Sequence, residues 1–380
     1  MTSNRSVCAV SALILAALAG LASGAVGAQS SILAVIPDPA EPSELRSQPA
    51  ETMAAAVVDP EWTAPRTSWG DPSLAGVWTS DDMRSVPFAR PEEFGMRASL
   101  NDEEFYARAS QDQGARDDAV NVGAFLQHEY GVRTFGWTSM IIDPPDGRMP
   151  PLTAAGKAID AARTRGTYSA GPFDAFEDFS LYDRCVTRGP MGSITPSIYG
   201  NGVRITQSPG VVTVTSEMIH ETRIIHLDDT APLDDGVRQF VGSSRGHWEG
   251  DTLVAVATNF TDRTNATRVP NSPEFKLTER FTRVDPEMIE YVATIEDPVT
   301  LTAPFTFRLM LTTQPGYRIY EYNCHEGNQV VRNALSGERV YEVQVAEALA
   351  NGQPIPERAT EHTQIRNGVP EVSFNINAGE

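Results

Sequence analysis

Between Gly210 and Phe260 the chain reads GVVTVTSEMIHETRIIHLDD, then a Pro/Asp/Gly-rich turn, then RQFVGSSRGHWEGDTLVAVATNF. No other stretch restricts the fold as tightly. Residues 210–216 and 252–258 are dense in Val and Thr, whose branched Cβ atoms suit a pleated surface better than a helix. Turn chemistry brackets these runs at Ser208-Pro209-Gly210, Asp234-Asp235-Gly236 and Glu249-Gly250-Asp251. With a period of two, His220, Thr222, Ile224 and His226 share one face of a strand, and Glu221, Arg223, Ile225 and Leu227 share the other. Both faces mix apolar and ionisable groups. A small barrel with a partly polar lumen tolerates such mixing better than a sandwich core does.

Strands are expected near 203–207, 210–217, 219–227, 246–249, 252–260, 276–284, 288–296, 304–313 and 318–324. Their spacing, with turns and no long helix between them, predicts a mainly β, antiparallel up-and-down barrel of eight to ten strands. Two helices are expected earlier: one from Asn101 to about Asp117, opened by an Asn101/Glu104 capping box, and one from Thr153 to Arg165, ended by Gly166. They are candidates for a lid over one barrel mouth. Gly136 to Asp143 reads as a strand, Val343 to Ala350 as a short helix, and the C-terminal tail as mixed.

The ends of the chain set the compartment and the domain limits. Arg5, the uncharged run Ala9 to Ala22 and the small-residue site Val26-Gly27-Ala28 read as a secretory signal over residues 1–28. The run is shorter than the ~20 residues a membrane span needs, so no membrane anchor is expected. Residues 29–68 have linker composition, 69–328 form the barrel domain with its helical insertions, and 329–380 form a C-terminal extension. Past the signal, Cys185 and Cys324 are the only thiols, and in an oxidising compartment they most simply form one bridge; a pair of buried free thiols is the alternative. The formal charge of −20 argues against nucleic-acid partners.

Several motifs in fixed order resemble a family of secreted bacterial proteins of unestablished activity with a lipocalin-like, or calycin-like, barrel. They are Ser73-Leu74-Ala75-Gly76-Val77-Trp78, Ile142-Asp143-Pro144-Pro145-Asp146-Gly147-Arg148, Arg184-Cys185-Val186-Thr187-Arg188-Gly189 and Glu217-Met218-Ile219-His220-Glu221-Thr222-Arg223-Ile224-Ile225. Trp248-Glu249-Gly250-Asp251-Thr252-Leu253-Val254, Asn259-Phe260-Thr261-Asp262, Leu277-Thr278-Glu279-Arg280-Phe281 and Tyr320-Glu321-Tyr322-Asn323-Cys324-His325-Glu326-Gly327-Asn328 complete the set. The resemblance covers residues 69 to 328. It implies a lipocalin-like fold, in which the Gly-x-Trp of the first strand closes one end, and it implies no chemistry.

The candidate catalytic residues are His220, Glu221, Arg223, His325 and Glu326: histidine exchanges protons near neutrality, a carboxylate tunes a partner, and arginine holds an oxyanion or a carboxylate. Structural hydrogen bonding at strand ends is the competing reading. His220 and Glu221 point to opposite faces of a regular strand, so an active pair would combine one group from 219–227 with His325 or Glu326. If the cysteines are bridged, Arg184, Arg188, His325 and Glu326 meet beside the bridge. Candidate ligand-binding residues are Arg184, Arg188, Arg245, Trp248, Tyr320, Tyr322 and Asn323. The aromatics line an apolar pocket on this reading, or simply fill the core on the other.

His-Glu occurs at His128, His220 and His325 without the spacing of a helical zinc site, and the Asp228, Asp229, Asp234, Asp235 group lacks a calcium-loop pattern. No metal and no cofactor is assigned, although a metal site assembled from distant strands stays open. No serine elbow, phosphate loop or dinucleotide fingerprint is present. Two functions compete. One is a cofactor-independent enzyme of isomerase or hydro-lyase type acting on a small apolar or aromatic molecule. The other is a non-catalytic carrier of such a molecule. The sequence assigns no oligomeric state.

Overall fold

The computed structural model describes residues 34–35, 62–122, 131–162, 173–228, 231, 233–262, 269–314 and 316–357. The expected signal segment and the expected helix end at Gly166 lie outside them. Ten strands form one sheet, in chain order β1 (Gly76–Thr79), β2 (Ile141–Asp143), β3 (Gly202–Ser208), β4 (Val211–Ser216) and β5 (Thr222–His226), then β6 (Ser243–Glu249), β7 (Thr252–Thr258), β8 (Lys276–Asp285), β9 (Met288–Glu296) and β10 (Phe305–Thr312). The order β9-β8-β7-β6-β5-β4-β3-β1-β10 closes through a β9–β10 ladder into a nine-stranded barrel, with β2 added alongside β10. Apart from these, Ala34–Val35 pairs with Arg133–Thr134.

One junction departs from the antiparallel expectation. Strands β5 and β6 pair in parallel, Ile225 with Ser244 and His226 with Arg245. The connection between them, residues 227–242, is long enough to return the chain to the same end, which parallel pairing requires. The barrel is therefore mixed.

Alternation along the strands sorts the side chains. On β8, Leu277, Glu279 and Phe281 face inward while Lys276, Thr278 and Arg280 are partly exposed; β9 repeats the pattern with Tyr291, Ala293 and Ile295 inside. Trp78 is buried at the first barrel strand, its indole N–H donating to the Leu74 carbonyl at 3.0 Å. A Cβ at Gly76 would stand 3.1 Å from that indole nitrogen, so the glycine of Gly-x-Trp makes room for the ring.

The lumen is packed. Leu277, Phe281, Tyr291, Ile295, Phe307 and Leu309 expose no surface at all, and the Phe281, Tyr291 and Phe307 rings pack at 4.9 and 5.9 Å. A cavity able to hold a ligand would leave accessible surface on its walls; these walls have none. The lumen expected to hold water or a ligand is filled by side chains instead.

Among the described residues four α-helices accompany the sheet: α1 (Asp102–Val122), α2 (Ala154–Ala161), α3 (Gly189–Ile194) and α4 (Val330–Ala350). At α1 the capping box forms, with Asn101 N–H donating to Glu104 and Glu104 N–H donating to Asn101 Oδ1 at 2.9 Å. Thr153 caps α2 through Gly156 N–H. All six residues of α3 are buried, and its Met191 and Ile194 join the barrel core. Three expectations are corrected. Of the strand read over 136–143 only Ile141–Asp143 forms a strand, with Trp137 making an isolated bridge to Ser99, the segment 318–324 forms no strand, and the C-terminal helix begins at Val330 rather than Val343. None of these helices is long and apolar enough to cross a membrane.

Candidate binding site at the barrel rim

The inward residues of β5 are Arg223 and Ile225. Arg223 does not line an open space; it forms a two-pronged ion pair with Glu279 across the lumen, at 2.6 and 2.7 Å, and the Tyr291 hydroxyl donates to the same carboxylate at 2.9 Å. Burial alone would lower the Arg223 pKa, but Glu279 outweighs it and holds the guanidinium protonated. Burial, followed by the Glu279 charge, pushes the Tyr291 phenol well up. Every strong acceptor of this trio is used internally, so it pins the barrel rather than awaiting a substrate.

From β4 to β5 the chain passes through a single tight turn, Met218–His220, where a continuous strand was expected. Ile219 has φ 65° and His220 φ 41°. A β-branched residue in this left-handed region costs on the order of 1–2 kcal/mol, and the surroundings hold it there. Met218 and Ile219 are buried, Glu217 N–H donates to the Gly202 carbonyl at 2.7 Å, and the Tyr317 hydroxyl donates to the Glu217 carboxylate. A Cβ at Gly202 would come within 2.3 Å of that carboxylate. The turn leaves His220 exposed and directs half-buried Glu221 to the Thr187 hydroxyl, which donates to it at 2.6 Å.

Burial raises the pKa of Glu221, partly offset by Thr187 and Arg223, and burial likewise raises that of Glu217. A carboxylate with a raised folded-state pKa adds stability below its unfolded value of about 4.5, and that stability is lost as pH rises through the folded value. Glu221→Gln keeps an acceptor for Thr187 and removes the titration. Its urea midpoint is therefore expected to gain on the wild type as pH increases from 4.5 and then to level off. A constant difference across that range would contradict this account of Glu221.

Beside this turn lies a cluster that joins segments distant in sequence. The cystine Cys185–Cys324, with Cα atoms 5.8 Å apart across 139 residues, ties the loop before α3 to the segment after β10. Asn328 reinforces the tie by donating to the Asp183 carbonyl at 2.6 Å. Three tyrosine hydroxyls converge there: Tyr182 to Tyr199 at 3.0 Å, Tyr199 to Tyr322 at 3.3 Å and Tyr182 to Tyr322 at 3.4 Å. The Arg188 guanidinium stands 5.5 Å from the Tyr182 ring centre. Burial pushes the Tyr182 and Tyr322 phenols up, Tyr322 to about 12, so at neutral pH both hold their protons for donation. Of Arg184, Arg188, His325 and Glu326, expected to meet beside the bridge, Arg188 stacks on Tyr182, three residues before Cys185.

The remaining candidates scatter. Arg184 stacks over Phe176 at 5.2 Å, and His325, Glu326, Tyr320 and Asn323 are exposed. Arg245 donates to the Ala231 carbonyl, and Trp248 packs half-buried against the core beside the β6–β7 turn. The structure thus does not gather His220, Arg223, Arg184 and His325 around one cavity. Tyr182, Thr187, Tyr199 and Glu217 were missed; Tyr182 and Tyr322 stand three and two residues before the bridged cysteines, a spacing that would have flagged them. No protein-family model matches this sequence, and no curated protein does either.

Proposed function

We propose that the protein is a non-catalytic binding protein for a small aromatic or apolar organic molecule, which it holds at the barrel rim and not in the lumen. The observation that carries this is the division of the barrel: inside it Arg223, Glu279 and Tyr291 are paired with one another, whereas the rim presents convergent phenol hydroxyls beside an arginine. A binding pocket needs an apolar or aromatic wall with a few polar groups fixing orientation, and the rim supplies both. The lipocalin-like reading of the barrel belongs to this proposal, supported by closure of the sheet and burial of Trp78 in Gly-x-Trp. So does a location outside the reducing cytosol, which the cystine favours.

One observation favours catalysis instead. Glu221, its pKa raised by burial, would serve as a general acid beside the rim in an isomerase or hydro-lyase. Equilibrium dialysis of the purified protein against a metabolite extract, followed by mass spectrometry of both sides, separates the readings. Retention of unaltered compounds that Tyr182→Ala abolishes and Phe307→Leu preserves is expected. Disappearance of a compound with appearance of an isomer or dehydrated product, lost in Glu221→Gln, would replace binding with catalysis. Retention abolished only by the lumen variant would contradict the rim location.

A further inference from the structure

Five arginines have their pKa depressed chiefly by burial: Arg90, Arg108, Arg188, Arg283 and Arg308. Arg90 donates to the Pro145 carbonyl, Arg108 to the carbonyls of Phe135 and Trp137, and Arg283 to those of Ser73 and Pro286. Arg308 pairs with Glu290 at 3.6 Å. Arg188 is different: among the described residues it has no hydrogen bond and no ion pair, only the face of Tyr182. A guanidinium carries five N–H donors, and those of half-buried Arg188 have no protein acceptor among the described residues, with the cation–π contact contributing roughly 0.5–2 kcal/mol.

The phenols around it are incompletely satisfied as well. Their mutual O···O separations of 3.0 to 3.4 Å exceed the ~2.7–2.8 Å usual for hydroxyl donors, so the triangle is loose. Each proton has more to gain from a charged acceptor than from a neighbouring phenol. No aspartate or glutamate side chain is within ion-pair distance of Arg188 among the described residues. One fixed positive charge with neutral donors matches a monoanion; a phosphate-like dianion would call for a second cation. The Tyr199 and Tyr322 rings, 15° from parallel at 6.3 Å, supply a flat apolar wall beside it.

We propose that the ligand of the rim site is an aromatic carboxylic acid, with Arg188 pairing its two carboxylate oxygens and the hydroxyls of Tyr182, Tyr199 and Tyr322 donating to them. This rests on the binding reading above and assigns it a ligand class. The net charge of −20 repels such an acid at long range, but screening limits that field to about 10 Å at 0.1 M salt, so contact at the site decides.

The test is isothermal titration at pH 7 of the full-length protein with benzoate, and with benzamide and methyl benzoate as neutral matches of the same shape. Benzoate is expected to bind at least ten-fold more tightly than either. R188Q should erase that preference, R188K should restore part of it, and Tyr322→Phe should weaken benzoate alone. Equal affinities for the three compounds in the wild type would overturn the carboxylate assignment while leaving the binding function standing. Absence of binding by all three would likewise overturn the aromatic-acid assignment, and retention in the dialysis experiment would then decide the binding function separately. Should R188Q not fold, the wild-type comparison and Tyr322→Phe still decide the matter.

Discussion

Replacing Glu279 with alanine is expected to destabilise the protein by about 3–5 kcal/mol, a large part of the ~5–15 kcal/mol that separates folded from unfolded domains. The loss does not measure an attraction. Arg223 is buried in the lumen with Glu279 as its bidentate partner, so the variant leaves a charge with nowhere to deposit it and strands the Tyr291 hydroxyl as well. Arg223→Met combined with Glu279→Leu should recover most of the loss, because the desolvation cost disappears with the charges. Urea unfolding followed by circular dichroism checks both. A cost below about 1 kcal/mol for the single variant would mean that water reaches Arg223, in conflict with a packed lumen.

Breaking the cystine should be comparably severe, and it should act on the site first. For a loop of 139 residues the chain-entropy account gives an upper limit of roughly 5 kcal/mol, and measured values often fall short of it. The segment after β10 forms no strand, and the bridge is its only covalent tie beside the tyrosines. In Cys185→Ser/Cys324→Ser, Tyr322 loses its anchor, leaving Tyr317 on Glu217 and Asn328 on the Asp183 carbonyl. Ligand retention is expected to fall at least ten-fold, with the barrel still folded at low denaturant. Full retention in the serine variant would show that the rim assembles without the bridge.

Where burial imposes a period of two, the sequence was readable. Leu277, Glu279 and Phe281 alternate with polar neighbours, and β8 and β9 fell within a residue of expectation. The helix starts at Asn101 and Thr153 were equally readable, since capping is a local matter of one side chain and one N–H. Strand direction was not: residues 227–242 carry turn chemistry whether the chain reverses or crosses, and only the sheet decides. The same holds for Tyr320-Glu321-Tyr322, which alternates like a strand but has no ladder partner. The odd mixture of charge on β5 was legible as a polar lumen element, while its partner Glu279, 56 residues away, was not. At the rim, Arg188 was recoverable once the cystine was assumed. Tyr199 and Thr187 needed the folded chain, because their meaning lies in distances between loops.

The division between a filled lumen and a receptive rim is tested most directly by solution NMR of protein carrying 13Cζ-labelled tyrosine, titrated with benzoate. Tyr182, Tyr199 and Tyr322 should shift together and saturate at one concentration, with Tyr291 unmoved. A titration in which the Tyr291 resonance moves and the other three stay still would place the ligand inside the barrel and contradict the account.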